Sequence, residues 1–154
     1  MFKINRKTDY AARVCVALAK RPPGARLATR AIQIEMEVPA PLLRRIVAQL
    51  SRAGLLSTFA GPDGGVQLAR PAEAITLKDI TLAMEGGLCL SDCLVTPQTC
   101  PLGGACPVRG RWGSLQNAIL TDLERTSLRD LADAAHPVEF STPSLLKEER
   151  HGDR

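Results

Sequence analysis

The chain has 154 residues, 45% hydrophobic and 23% charged, enough for one compact domain with an appended element and too few for two full domains. Aromatic residues make up only 3%, so the core must rest on Leu, Ile, Val and Ala, which favours a mainly helical protein. The first 70 residues carry 12 Lys and Arg against 4 Asp and Glu, an excess of +8, and the remainder carry 8 against 12, a deficit of −4, so the first half is a candidate polyanion binder.

Thr8-Asp9-Tyr10 can cap a first helix in which Tyr10, Ala11, Val14, Cys15 and Leu18 recur at helical spacing, ending before Arg21-Pro22-Pro23-Gly24. A short helix follows from near Thr29 to Met36, then a turn at Glu37-Val38-Pro39. Pro41 suits the first turn of a third helix, with Leu42, Leu43, Ile46, Val47 and Leu50 inward and Arg44, Arg45, Gln49 and Arg52 outward. Two such helices on a tight turn make a helix-turn-helix. Leu55 to Ala60 and Val66 to Ala69 have strand character around the hairpin turn Gly61-Pro62-Asp63-Gly64-Gly65. Helix, helix and hairpin together predict a winged helix over residues 1–75.

Thr76 and Asp79 form a capping-box pattern ahead of a fourth helix, which stops at Gly86-Gly87. Residues 76–110 are thus a connecting helix and a loop rich in Gly, Pro and Cys. Over residues 111–136 the stripe Trp112, Leu115, Ile119, Leu120 and Leu123 marks a long helix, read as a dimer seam, and Ser127 with Asp130 caps a short docking helix. Residues 137–154 show no apolar period, and disorder is expected there. The fold expected is therefore mainly α with a small β-hairpin wing: a winged helix-turn-helix domain plus a long dimerisation helix.

No run approaches the ~18 apolar residues that span a bilayer, and the first residues lack the apolar stretch of a signal peptide. A cytoplasmic protein is expected. In that compartment a cluster of cysteines reads as a metal or redox site rather than as disulfides. Cys89, Cys93, Cys100 and Cys106 are spaced C-x3-C-x6-C-x5-C, a soft-donor set that suits an iron–sulfur cluster, zinc or a thiol switch. The lack of C-x2-C pairs and the Cys100-Pro101 and Cys106-Pro107 steps favour iron–sulfur. Cys15, on the apolar face of the first helix, reads as a small buried hydrophobe. The two histidines, His136 and His151, lie near the end, and no nucleophile–base pair or phosphate loop is visible, so no enzyme is expected.

The sequence resembles the Rrf2 family of winged-helix regulators over roughly residues 1–136. The resemblance is carried by Lys7-Thr8-Asp9-Tyr10-Ala11-Ala12, Pro41-Leu42-Leu43-Arg44-Arg45-Ile46, Gly61-Pro62-Asp63-Gly64-Gly65-Val66 and the cysteine loop. It implies that Cys93, Cys100 and Cys106 are ligands of an iron–sulfur cluster, with a fourth from elsewhere in a homodimer. IscR-like members place a histidine three residues after the last cysteine; here that position is Arg109, which cannot serve. NsrR-like, nitric-oxide-sensing members use an aspartate at the start of the first helix, and Asp9 holds that place. This favours a four-iron four-sulfur cluster, with a two-iron two-sulfur cluster as the other possibility. The six-residue gap from Cys93 to Cys100 departs from the five common in the family.

The resemblance further implies a repressor binding a palindromic double-stranded operator. Pro41, Arg44 and Arg45 would lie on the recognition helix, Thr58, Asp63, Gly64 and Gly65 in the wing, and Asn5, Lys7 and Arg30 on phosphates. Trp112, Leu115, Ile119 and Leu123 would pair two subunits. The alternatives are the same regulator sensing through zinc or thiol oxidation, and an iron–sulfur electron-transfer or assembly protein.

Overall fold

The computed structural model describes residues 3–102 and 105–134; the expected tail over 137–154, with His136 and His151, lies outside the described residues. Helix α1 (Arg6–Ala19) starts three residues earlier than a cap at Thr8 would place it. Asn5 is its N-cap, accepting from the Lys7 amide, and Thr8 is instead buried within the first turn. The inward side of α1, including Ala11, Val14, Cys15 and Leu18, is almost wholly buried.

Helices α2 (Thr29–Met36) and α3 (Ala40–Arg52) are joined by a turn in which Glu37 adopts a left-handed conformation, with φ 50°. It is the sole non-glycine residue with positive φ among those described. The sharp reversal seats Val38 in the core and aims α3 across α1. Pro41 occupies the first turn of α3, where a missing N–H costs nothing. Leu43, Ile46, Val47 and Leu50 face inward, as their spacing predicts.

Strands β1 (Leu56–Phe59) and β2 (Gly65–Leu68) pair antiparallel, Leu56 against Leu68 and Phe59 against Gly65. Leu27 adds a bridge on the other edge of β2, exchanging two 2.9 Å hydrogen bonds with Val66. The turn glycines are dictated by packing. A Cβ on Gly64 would lie 2.4 Å from the Phe59 carbonyl oxygen, and one on Gly65 would lie 2.6 Å from that of Leu27.

Helix α4 (Leu77–Glu85) carries the expected capping box, with Thr76 and Asp79 bonding reciprocally, and stops at Gly86. The cysteine-rich segment is partly structured, with a single helical turn α5 (Asp92–Val95) and a 3-10 turn (Pro97–Thr99). Helix α6 (Pro107–Arg125) begins directly after Cys106, earlier than the Gly-rich composition suggests, because Pro107 suits a first helical turn. Helix α7 (Leu128–Asp133) has its own capping box, in which the Ser127 hydroxyl and amide hold the Asp130 carboxyl below its ordinary range. The starts of α4 and α7 are joined: the Leu77 amide donates to the Thr126 carbonyl at 2.9 Å and the Leu128 amide to that of Ile75 at 2.8 Å. These bonds return the chain after α6 to the N-terminal core, where Leu128 is fully buried.

Leu43→Ala should lower unfolding free energy by about 2–5 kcal/mol in urea titrations, because a cavity opens at a fully buried site. Ile34→Ala, at a residue 69% exposed, should change it by less than about 0.5 kcal/mol.

Candidate nucleic-acid interface and cysteine loop

The helix-turn-helix presents a basic face. Arg30 and Arg44, with Thr29, Gln33, Ile34 and Ala40, line a shallow trough between α2 and α3. Pro41, Arg44 and Arg45 are exposed. Among the described residues, the side chains of Arg30, Arg44 and Arg45 have no ion-pair or hydrogen-bond partner within the chain. Four arginines elsewhere have acidic partners: Arg13 with Asp9, Arg21 with Glu35, Arg70 with Asp79 and Arg129 with Glu73. In the wing, Thr58 and Asp63 are exposed, and Gly64 and Gly65 are half-buried.

Two residues expected on phosphates have partners within the chain. The Asn5 side chain caps α1, and Lys7 Nζ donates to Gln49 Oε1 at 2.5 Å. Arg26, which no local pattern marks, has its guanidinium 3.7 Å from the centre of the Phe59 ring in the wing. Its only sequence signal is a basic residue beside a strand-forming Leu27; the pairing with β2 is long-range.

Beneath this face α3 is bound to α4. Gln49 was expected to point outward with the arginines. Instead its Nε2 donates to the carbonyls of Ala83 at 2.9 Å and Met84 at 3.2 Å, because the last turn of α4 has no carbonyl partners of its own. One residue on, Glu85 Oε1 accepts from the buried Thr8 hydroxyl and from the Asn5 amide at 3.3 Å. The stem of the cysteine loop is thereby fastened to both α3 and α1.

Within the loop Cys89 is exposed and Cys93, Cys100 and Cys106 are half-buried. Cys89 Sγ donates to the Ser91 carbonyl at 3.1 Å, and the Ser91 hydroxyl lies 3.2 Å from Cys93 Sγ. The Leu90 amide donates to Gln116 Oε1 at 3.1 Å, fixing the loop to α6. The donors are chemically apt for an iron–sulfur cluster, three thiols on one segment. Among the described residues of a single chain, however, no three His, Cys, Asp or Glu side chains come close enough to hold a metal. Asp9 is apart from the cysteines in the sequence and is paired with Arg13 at 2.8 Å. It lines a largely apolar groove of about 990 Å³, which also includes Ala12, Val16, Leu77, Leu123 and Leu131.

On α6, Trp112 and Leu115 are 43% and 47% exposed, while Ile119 and Leu123 are half-buried. No helix among the described residues is long and apolar enough to cross a membrane.

A sequence profile of the Rrf2 family, described as an iron-dependent transcriptional regulator, matches residues 4–134. The chain belongs to the Rrf2 family. It is a DNA-binding transcription regulator, not an enzyme, and its helices and two-stranded hairpin match the Rrf2 winged-helix structures. An oxidised form of Staphylococcus aureus CymR is 27% identical with a TM-score of 0.68, covering 88% of this chain and 100% of that one. CymR (YrzC), the global cysteine regulator of B. subtilis, is 26% identical with a TM-score of 0.67, covering 86% and 97%. IscR of T. potens, at 21% identity, shares the fold with a TM-score of 0.68, covering 94% and 96%.

In this Rrf2 regulator Cys15 stands apart from the other thiols. It is fully buried, and desolvation pushes its pKa from 9.0 up to about 12. Iodoacetamide at neutral pH should therefore label the exposed Cys89 in the native protein and Cys15 only in denaturant, as read by peptide mass spectrometry. The raised pKa also fixes a sign. The neutral thiol's contribution is complete below pH 9 and is lost between about 9 and 12, where the unfolded chain ionises first. Stability relative to Cys15→Ala should fall over that window in urea titrations at stepped pH.

Proposed function

We propose that this Rrf2 protein is a cytoplasmic repressor that grips a palindromic operator as a homodimer and is switched by the chemistry of its cysteine loop. The observation that carries the DNA-contact assignment is the set of arginines without partners on the helix-turn-helix. Arg44 and Arg45, with Pro41, lie on α3 where a major groove would receive them, and a bidentate arginine–guanine contact discriminates by about 1–3 kcal/mol. Arg30 supplies a phosphate contact, and Thr58, Asp63, Gly64 and Gly65 bring the wing to a minor groove. Asn5 and Lys7 serve through their chain partners, setting the start of α1 against α4 and α3.

Pairing of two chains accounts for the exposed Trp112 and Leu115 and for the apolar groove between α1, α4 and α7. Ile119 and Leu123 would form the inner edge of the same seam. Cys93, Cys100 and Cys106 with Asp9 of the partner subunit make up the ligand set for an iron–sulfur cluster, the four-iron four-sulfur form favoured. Such a cluster supplies a link between chains that is sensitive to redox state, nitric oxide and iron supply. The chain's own part is to pass a displacement of the loop to α3 through Gln49 and to α1 through Glu85.

A second reading, reversible thiol oxidation without a metal, is favoured by the contact of the Ser91 hydroxyl with Cys93 Sγ and by the exposure of Cys89. The CymR structure in an oxidised form is a relative consistent with it.

Anaerobic reconstitution with iron and sulfide tests the two. On the cluster reading a brown protein absorbing near ~400 nm forms, and Cys93→Ala and Asp9→Ala reduce or abolish the colour. A colourless protein whose DNA affinity falls with peroxide and returns with dithiothreitol would replace that reading with the thiol switch. DNA contact is tested on a duplex selected by the protein from a random pool. Arg44→Ala with Arg45→Ala should weaken binding at least tenfold by fluorescence anisotropy, on the magnitude of one lost arginine–guanine pair.

A further inference from the structure

The wing offers cationic contact through a residue outside it in sequence. Leu27 pairs antiparallel with Val66 in a single-residue bridge, which fastens the segment before α2 to the free edge of β2. Side chains alternate along strands, so Arg26 and Phe59 fall on the face opposite the buried Leu56 and Val66. There the Arg26 guanidinium stacks 3.7 Å from the centre of the Phe59 ring. Phe59 pairs with Gly65, so the stack lies at the turn end of the hairpin.

Three features make this more than a surface charge. Arg26 is exposed, and among the described residues it has neither an acidic partner nor a hydrogen bond, so its N–H donors are free. The ring fixes the plane of the guanidinium, which removes part of the rotamer entropy a free arginine loses on contact. Like Arg30, Arg44 and Arg45 of the helix-turn-helix, and unlike Arg13, Arg21, Arg70 and Arg129, it has no acid beside it among the described residues.

We propose that Arg26, held flat by Phe59, is a DNA-phosphate contact of the wing, supplying the cation that the hairpin segment from Leu56 to Leu68 lacks. That segment carries Asp63 and no Lys or Arg, so it would otherwise approach the polyanion with a net negative charge. A phosphate contact positions the wing without reading bases, and its loss weakens binding on every duplex alike.

The inference rests on the DNA-binding reading, and the test separates the two. Anisotropy titrations over a salt series use the selected duplex and a mixed-sequence duplex. Arg26→Ala should bind both more weakly, with a log–log salt slope shallower by about 1. Arg26→Lys should keep the wild-type slope. Phe59→Leu should keep it too, while losing affinity about two- to fivefold through the freed guanidinium. Wild-type circular dichroism and urea midpoint for Arg26→Ala establish that an exposed residue has been changed without unfolding the wing. A slope for Arg26→Ala equal to wild type overturns the proposal, as does a loss confined to the selected duplex. Failure of the wild type to bind either duplex overturns the DNA-binding reading itself.

Discussion

The last turn of an α-helix leaves carbonyls without intrahelical partners, and the way α4 satisfies two of them governs the architecture. A single side-chain amide, that of Gln49 on α3, donates to both Ala83 and Met84. The next residue, Glu85, takes the buried Thr8 hydroxyl and the Asn5 amide at the start of α1. Gly86 then ends the helix and the cysteine-rich segment begins. Leaving such polar groups unpaired would cost about 1–3 kcal/mol each, so the three helices hold one another in register. The stem of the loop is thereby fastened to the groups that seat α3.

Electrostatics divide the molecule along the same line. Several acids of the chain lie on cations away from the helix-turn-helix face, as in Arg129 with Glu73, where the hydrogen bond lowers the carboxyl and raises the guanidinium. The arginines of α2 and α3 are left uncompensated. Exposed ion pairs contribute little to stability, so the absence of acids beside Arg30, Arg44 and Arg45 costs the fold little and preserves their charge for a polyanion.

Local signals carried most of the fold. The helix-turn-helix, the hairpin and the capping boxes at Thr76 and Ser127 are each written in neighbouring residues, and the structure has them. What the sequence hid depends on distant partners. Gln49 has the spacing of an outward residue, yet it turns to α4 because unpaired carbonyls lie there. Thr8 looked like a cap, but Asn5 supplies that bond and leaves the Thr8 hydroxyl for Glu85. Arg26 shows no pattern until Leu27 is seen beside Val66. The cysteine spacing reveals the donor type and is silent on convergence, which depends on how α6 sits and on what faces it.

Helix α6 brings these constraints together. None of its side chains among the described residues is fully buried, and its first half carries Gly110 and Gly113, each less favourable than alanine by about 1 kcal/mol in a helix interior. The second half is better held, since Ile119, Leu120 and Leu123 are half-buried and the chain beyond is tied to α4. Stability therefore falls toward the end that carries Cys106 as its N-cap. In the proposed dimer, a ligand set including Cys106 and a second chain covering Trp112 and Leu115 act on that same weak half. Ordering the loop and ordering the dimer helix are then one event, and Gln49 and Glu85 connect it to the DNA-facing helices.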